Sequence, residues 1–246
     1  MKNDSMDYYI QSAEMYDILS DSHWNLREPS FVDTIKLINI SEGNWINVGA
    51  GTGQELSIIA KTLPDVHLFA IEPSPSMRIG LMTRLMMLPE IQDRVTVIAD
   101  SFQNATLPDS FSVATICGCI GYFDAQDRAK LWHRLANGLC DGGVVLADTM
   151  RVEQPQHVEE MKIASKTIGN LVYEIFLQGE HLNKETIRWD MRFKVIQDHH
   201  VLREFNIQRD WYAFGIQQVI DEASKEGFIP QIVNSSTVPM VILRLG

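Results

Sequence analysis

The sequence predicts an α/β fold built around a mostly parallel β-sheet. Between residues 44 and 150, short apolar runs typical of buried strands alternate with segments whose apolar residues recur at helical spacing. The chain has 246 residues, 45% of them hydrophobic, which suffices for one substantial core. We therefore expect a single domain with leading helices over 1–43, a core over 44–150, an insertion over 151–211, and a final helix and strands over 212–246.

Two helices are predicted ahead of the first strand. In residues 7–20, aromatic and apolar side chains recur at helical spacing, namely Tyr8, Tyr9, Ala13, Tyr16, Ile18 and Leu19. Phe31, Ile35 and Ile38 outline a second helix, which is predicted to end at Gly43. Trp24 falls in the loop expected between these two helices.

A glycine-rich turn follows the first predicted strand, residues 44–48. Gly49, Gly51 and Gly53 occupy alternate positions before the helical pattern restarts at Leu56. So many glycines favour a tight turn that lets a ligand approach the backbone closely. A nicotinamide or flavin fingerprint would need a sixth-position glycine where this chain has Gln54. A glycine turn without any ligand is the alternative interpretation.

The next two predicted strands end on carboxylates. Residues 66–71 lead into Glu72, about twenty positions past the glycines, and residues 95–99 lead into Asp100. A carboxylate at Glu72 can accept hydrogen bonds from both hydroxyls of a ribose. Either acid alone could equally be a helix cap or a solvated loop residue. Together with the glycines they indicate a nucleotide-like ligand.

This succession resembles the class I S-adenosylmethionine-dependent methyltransferases of the small-molecule, natural-product type. The resemblance rests on the G-x-G-x-G turn, the two strand-end acids, and the phrase Glu-Pro-Ser-Pro-Ser-Met at 72–77. It covers 44–150 strongly and 212–246 weakly. It implies a Rossmann-like, seven-stranded, mostly parallel sheet with one antiparallel strand. It also implies S-adenosyl-L-methionine as the cofactor, with S-adenosyl-L-homocysteine as the product.

The resemblance also implies a set of cofactor-binding residues: Asn47, Gly49, Ala50, Gly51, Gly53, Glu72, Pro73, Asp100, Ser101, Cys117 and Gly118. The chain departs from the family at three places. Members usually have an acid where Asn47 stands, and Glu55 could compensate for its absence. Many also have an acid at the position of Ser112 and a histidine near Gly121, so one usual place for a catalytic base is missing.

The fifth predicted strand, 144–147, ends on Asp148 at the expected ligand edge of the sheet. Asp148 is therefore the candidate catalytic base or substrate contact, although a helix cap or a structural hydrogen bond fits the sequence as well. His23 and His181 are other candidate bases. No metal site is expected, because the three cysteines are odd in number and lack paired spacing.

Residues 151–211 exceed the minimal fold. Residues 156–178 show apolar positions at helical spacing, whereas 187–195 alternate strictly and 201–210 return antiparallel, so an α/β-hairpin insertion is predicted. By the resemblance, the insertion and the leading helices cover the substrate pocket, or the insertion forms a homo-oligomer contact. The candidate substrate or lid residues are Tyr8, Tyr16, Trp24, Tyr173, Phe176 and Trp189.

Composition limits the function classes. The formal net charge of −11 argues against nucleic acid as the main substrate. No stretch could span a bilayer and residues 1–5 lack a signal-peptide core, so we expect a cytoplasmic protein. The leading hypothesis is methyl transfer to oxygen, nitrogen or carbon of a small molecule, a secondary metabolite. The alternatives are use of the cofactor for a rearrangement or cyclisation, sensing of the cofactor, and nicotinamide oxidoreduction.

Overall fold

The computed structural model describes residue 7, residues 9–234 and residues 236–246, without the side chain of Ser22. The helices are α1 Ala13–Ile38, α2 Gln54–Thr62, α3 Pro75–Met86, α4 Ala125–Gly138 and α5 Ile216–Ser224. The strands are β1 Glu42–Val48, β2 Asp65–Ile71, β3 Val95–Ile98, β4 Phe111–Ile116, β5 Leu139–Asp148, β6 Val158–Ile168, β7 Leu171–His181, β8 Thr186–Gln197, β9 His200–Tyr212, β10 Phe228–Ile232 and β11 Met240–Leu245. None of the described helices is long and apolar enough to cross a membrane.

Seven strands form the central sheet, in the order β10-β11-β5-β4-β1-β2-β3. Strand β11 runs antiparallel to both of its neighbours, whereas the other pairs are parallel, which confirms the predicted sheet. Both faces are covered. Trp45 of β1 packs with α1, α2 and α3 on one face, and the adjacent Ile46 packs with α4 and α5 on the other. The carboxyl ends of β1, β2, β4 and β5 therefore share one edge, where ligands bind in such sheets.

The segment before β1 contains one long helix, not the two helices that the sequence predicted. Helix α1 runs unbroken from Ala13 to Ile38 with Pro29 inside it. A proline removes one helical hydrogen bond and disfavours the helix interior. Phe31 and Ile35 are fully buried in the core just after it, so tertiary packing outweighs the local penalty.

The insertion is a four-stranded antiparallel sheet in the order β6-β7-β8-β9, so the helix predicted over 156–178 was wrong. Gly169, with φ +58°, turns the chain between β6 and β7. Ile175 and Phe193 lie on the face of this sheet that packs against Met15 of α1. The opposite face of the sheet carries ion pairs, among them Arg188 with Asp210.

Trp211 of β9 docks the insertion sheet onto the core. Its indole lies against Gly121 in the turn after β4, and a Cβ atom at Gly121 would overlap that ring. We expect Gly121→Ala to lower the free energy of unfolding by about 1–3 kcal/mol, the usual cost of overpacking. Urea denaturation measures this loss. The same substitution in a Trp211→Ala background should cost much less, and an equal cost in both backgrounds would contradict this contact.

Candidate active site

The glycine turn lies at the carboxyl end of β1. Gly49, Gly51 and Gly53 all have positive φ, which side-chain-bearing residues rarely adopt. The main-chain N–H groups of Gly49 and Ala50 both donate to the carbonyl oxygen of Ile71, at 2.9 and 3.0 Å. A side chain at Gly49 would press on the thiol of Cys119. The turn is thus held against β2, with α2 beginning directly after it.

Glu72 binds the glycine turn directly. One carboxylate oxygen accepts from the N–H of Gly51 at 2.8 Å, and the other accepts from the N–H of Ser74 at 2.8 Å. Burial raises the pKa of Glu72 above its usual value, and these two main-chain donors offset part of that shift. Asp100, by contrast, is exposed beyond β3, and its carboxylate accepts from the N–H of Ser101 at 2.7 Å. Pro73 is also exposed.

Helix α1 covers the glycine turn. The phenol ring of Tyr16 lies about 3.6–4.0 Å from where a Gly51 side chain would begin. Asp17 accepts a hydrogen bond from the hydroxyl of Thr52 and forms an ion pair with Arg84 at 2.7 Å. Tyr16 therefore lies over the glycine turn, and its role as a lid stays a prediction. Tyr8 lies outside the described residues.

A buried charge cluster lies behind the turn. Asp148 forms an ion pair with Arg27 of α1, both residues being almost fully buried, and accepts from the N–H of Gly118 at 2.7 Å. Glu55 of α2 is also buried here, and one of its carboxylate oxygens has no hydrogen-bond partner among the described residues. Burial raises the pKa of Glu55 to about 7, against the opposing effects of nearby Thr115 and Arg27.

Asn47 and Cys117 adjoin this cluster. The amide of Asn47 donates to the hydroxyl of Thr115 at 3.1 Å, and its carbonyl oxygen has no partner among the described residues. Burial raises the pKa values of the Cys117 and Cys119 thiols well above the usual range, so both stay protonated. In the described part of the chain, no three His, Cys, Asp or Glu side chains are grouped as a metal site.

These contacts bear on the prediction that Asp148 is a base. Both of its carboxylate oxygens are engaged, one by Arg27 and one by Gly118. Each oxygen therefore already has a donor from the protein. His23 lies near the same group, and burial, followed by Arg27, lowers its pKa, so the imidazole is neutral at neutral pH. The surroundings thus favour a structural role for Asp148.

An aromatic cluster that the sequence did not predict lies beside Tyr16. The rings of Tyr9 and Tyr16 meet edge to face at 5.6 Å, and the hydroxyls of Tyr9 and Tyr122 lie 2.8 Å apart. Arg209 of β9 stacks on Tyr9, with its guanidinium carbon 3.9 Å from the ring centre. Burial raises the pKa values of Tyr9 and Tyr16, so these phenols keep their protons. The only sequence signal for Arg209 was its place in residues 201–210, which were predicted to return antiparallel to the alternating strand over 187–195.

The other candidate substrate residues are scattered. Trp24 stacks against Phe31 and under the guanidinium of Arg27, behind the turn. Tyr173 packs on the inner face of the insertion sheet, the face toward α1. Trp189 lies on that face too, and its indole N–H has no acceptor among the described residues. Phe176 was wrongly assigned to the pocket, because its position on β7 places it on the outer face, under Arg192.

Comparison with known proteins agrees with this architecture. Residues 46–145 match a family model described as a methyltransferase domain. No curated protein matches the chain.

Three solved structures share the fold. The amino pentose methyltransferase CalS10 from Micromonospora echinaspora, solved with S-adenosylmethionine bound, is 15% identical with a TM-score of 0.72, over 89% of this chain and 90% of that chain. DesVI from Streptomyces venezuelae is 15% identical with a TM-score of 0.75, over 94% and 97%. The sugar N-methyltransferase KedS8 from a Streptoalloteichus species is 16% identical with a TM-score of 0.68, over 89% and 86%.

The glycine turn, the strand-end acids and the sheet order match what the resemblance implied. Residues 46–145 thus belong to a methyltransferase domain, and the chain has the fold of the solved methyltransferases that it resembles.

Proposed function

We propose that the protein transfers a methyl group from S-adenosylmethionine to a small-molecule acceptor. The observation that carries this proposal is the bond between Glu72 and the N–H of Gly51, which fixes a carboxylate beside a glycine turn at the carboxyl edge of the sheet. Each carboxylate oxygen of Glu72 accepts one main-chain hydrogen bond and keeps a further lone pair for a ribose hydroxyl. The sulfonium supplies an electrophilic methyl group when the cofactor is bound.

The remaining cofactor contacts are assigned by position. The N–H groups in the first turn of α2 are assigned to the methionyl carboxylate, as helix starts commonly hold anions, because the N–H of Gly51 already donates to Glu72 and that of Gly53 to the carbonyl oxygen of Ala50. Asp100 and Ser101, beyond β3, are assigned to the adenine end, and the Cys117-Gly118 turn to the sulfonium end. A side chain at Gly118 would meet no atom within 4 Å, so this turn borders open space. Asn47 lies deeper, within β1.

The cofactor assignment is tested at Glu72. We expect Glu72→Gln to weaken S-adenosylmethionine binding about ten- to a hundredfold, the cost of losing a charged hydrogen-bond acceptor. Isothermal calorimetry measures this change. Asp65→Asn is the matched control, because Asp65 is an exposed carboxylate at the opposite end of the same strand. Unchanged affinity in the Glu72 variant would exclude the proposed site.

We propose that the acceptor is a secondary metabolite of the amino-sugar class, methylated at nitrogen. CalS10 and KedS8, whose fold this chain shares, are an amino pentose methyltransferase and a sugar N-methyltransferase. A neutral amine already carries the attacking lone pair, so alignment and exclusion of water supply most of the acceleration. Transfer to oxygen or carbon is the alternative, and the chemical shift of a carbon-13-labelled methyl group in the product distinguishes the three atoms.

We expect catalysis to depend little on a general base. His23→Gln should lower kcat by less than about tenfold, because a general base typically contributes a hundredfold or more. The readout is the pH profile of kcat with the best acceptor found. His200→Gln serves as the control, since His200 is an exposed residue at the first position of β9. A hundredfold loss together with a missing acidic limb would make His23 the base.

Two further proposals concern alternatives and assembly. If the protein binds S-adenosylmethionine but yields no methylated product with any acceptor, use of the cofactor in a rearrangement or as a sensed ligand becomes the better hypothesis.

Self-association through the insertion sheet stays a prediction. Its outer face is largely ionic, with Arg188, Arg192 and Glu204 paired across strands, so an interface there should weaken with added salt.

A further inference from the structure

Arg209 differs from the other arginines of the described chain. Each of those has a carboxylate within 4 Å or donates to a main-chain carbonyl oxygen. Arg209 has only hydroxyl partners: it donates to Tyr122 at 3.3 Å and to Ser12 at 3.1 Å. Its Nε–H group is buried and has no acceptor among the described residues. A half-buried guanidinium is thus left without a counter-charge, which is costly unless a ligand supplies one.

A second unused donor lies next to it. Trp189 of β8 and Arg209 of β9 are direct cross-strand partners, so both side chains point to the inner face of the insertion sheet, and directly paired Cβ atoms lie about 5 Å apart. The indole N–H of Trp189 is also buried without an acceptor among the described residues. Two unsatisfied N–H groups at paired positions indicate a common acceptor atom or group.

The position of Arg209 places this group on the acceptor side of the site. Tyr16 contacts the glycine turn at Gly51, Tyr9 contacts Tyr16, and Arg209 stacks on Tyr9. Arg209 therefore lies two aromatic rings away from the proposed cofactor turn. The phenols around it keep their protons, so they can only add hydrogen-bond donors or neutral acceptors to the charge of the guanidinium.

We propose that Arg209, assisted by Trp189, binds an anionic oxygen group of the methyl acceptor, a carboxylate or a phosphate. The proposal rests on the proposed methyl transfer and narrows its substrate class to acceptors with an anionic group, so an amino-sugar acceptor would carry a carboxylate or a phosphate as well as its amine. The planar fork of an arginine suits two-point binding of either group. A substrate that lacks the anion would leave both donors buried and unpaired, so the site would reject it.

The test measures anion binding to the protein saturated with S-adenosylhomocysteine. Inorganic phosphate and benzoate are titrated separately at constant ionic strength, with tryptophan fluorescence and calorimetry as readouts. We expect saturable binding of at least one of them, and the preferred probe distinguishes phosphate from carboxylate. Arg209→Gln should weaken that binding about tenfold or more, and Trp189→Phe should weaken it by a smaller factor. Arg209→Lys keeps the positive charge but loses the planar guanidinium that binds at two points, so it should recover only part of the affinity for the anion.

Arg188→Gln is the matched control, because Arg188 lies on the outer face of the same sheet and is already paired with Asp210. It should bind the anion as the wild type does. No saturable binding to the wild type, equal binding by the Arg209 variants, or an equal loss in the Arg188 variant would overturn the proposal. S-adenosylhomocysteine affinity is measured first for every variant. If the wild type does not bind S-adenosylhomocysteine, the proposed methyltransferase function is contradicted. If the protein binds it normally but anion binding does not depend on Arg209, only the present inference is contradicted.

Discussion

Replacing Arg27 with methionine is expected to lower the free energy of unfolding by about 3–5 kcal/mol. Arg27 and Asp148 are both almost fully buried, so the substitution leaves an uncompensated carboxylate in the interior. Methionine keeps most of the apolar stem but loses the guanidinium that stacks on Trp24, so the loss reports mainly on the charged group. Urea denaturation at neutral pH measures the change.

Arg188→Met provides the control for this prediction, because Arg188 and Asp210 form an ion pair that is largely exposed. Such a pair typically contributes at most about 1 kcal/mol. The double variant Arg27→Met, Asp148→Asn removes both charges and should recover part of the loss. Equal destabilisation by the Arg27 and Arg188 variants would show that the buried ion pair contributes no more to the free energy of unfolding than the exposed one.

Glu55 is expected to make the protein less stable as the pH rises from about 4.5 to about 7. The folded protein holds the pKa of Glu55 at about 7, chiefly through burial, whereas the unfolded chain has an ordinary carboxyl with a pKa of 4.5. Between those values the folded state binds the extra proton, so raising the pH favours unfolding. The whole shift corresponds to about 3 kcal/mol, with full stability below pH 4.5.

Glu55→Gln should remove this contribution, because the amide stays neutral throughout. The variant should be about 3 kcal/mol more stable than the wild type at pH 8 and nearly equal to it at pH 4. Denaturation curves at four or five pH values measure the difference. Glu90→Gln, at an exposed carboxyl in the 3-10 helix before β3, is the surface control for the substitution itself. Parallel curves for wild type and the Glu55 variant would mean that Glu55 titrates normally.

The central sheet was predictable because its signals are local. The glycine spacing at Gly49, Gly51 and Gly53 and the acid after each apolar run are read within a few residues. Parallel strands then bring those ends to one edge, so Glu72 and the glycine turn were predicted to serve one ligand. The register between β1 and β2 then brings the carboxylate of Glu72 within hydrogen-bond distance of the N–H of Gly51.

The insertion was misread because its local pattern is ambiguous. In 156–178 the apolar residues fall at three- and four-residue intervals that fit a helix. The same stretch contains Gly169, which lies in the turn between β6 and β7. The helical interpretation placed Ile175 and Phe176 on one face. In strand β7, however, Ile175 points inward and Phe176 points outward. Tertiary pairing with β8 decided the outcome.

The pairs that shape the candidate site could not be predicted. Arg27 meets Asp148, and Arg209 meets Tyr122, across long sequence separations that follow from how α1 and the insertion sheet dock. A sequence indicates that a residue is charged or lies on one face of a strand. It does not indicate which distant side chain shares its pocket. Both Arg27 and Arg209 therefore emerged from the structure alone.

Helix α1 is made early on the ribosome, and its two ends meet partners that are made at different times. Phe31 and Ile35 pack against β1, α2 and α3, which follow the helix directly in the chain. At the other end, Met15 packs against strands of the insertion, and Glu14 pairs with Arg203 of β9. Contacts with such long sequence separations form slowly and leave incomplete chains prone to aggregation. A chain whose synthesis stops before β6 would thus keep the contacts of α1 with the core but lack the surface that buries Met15.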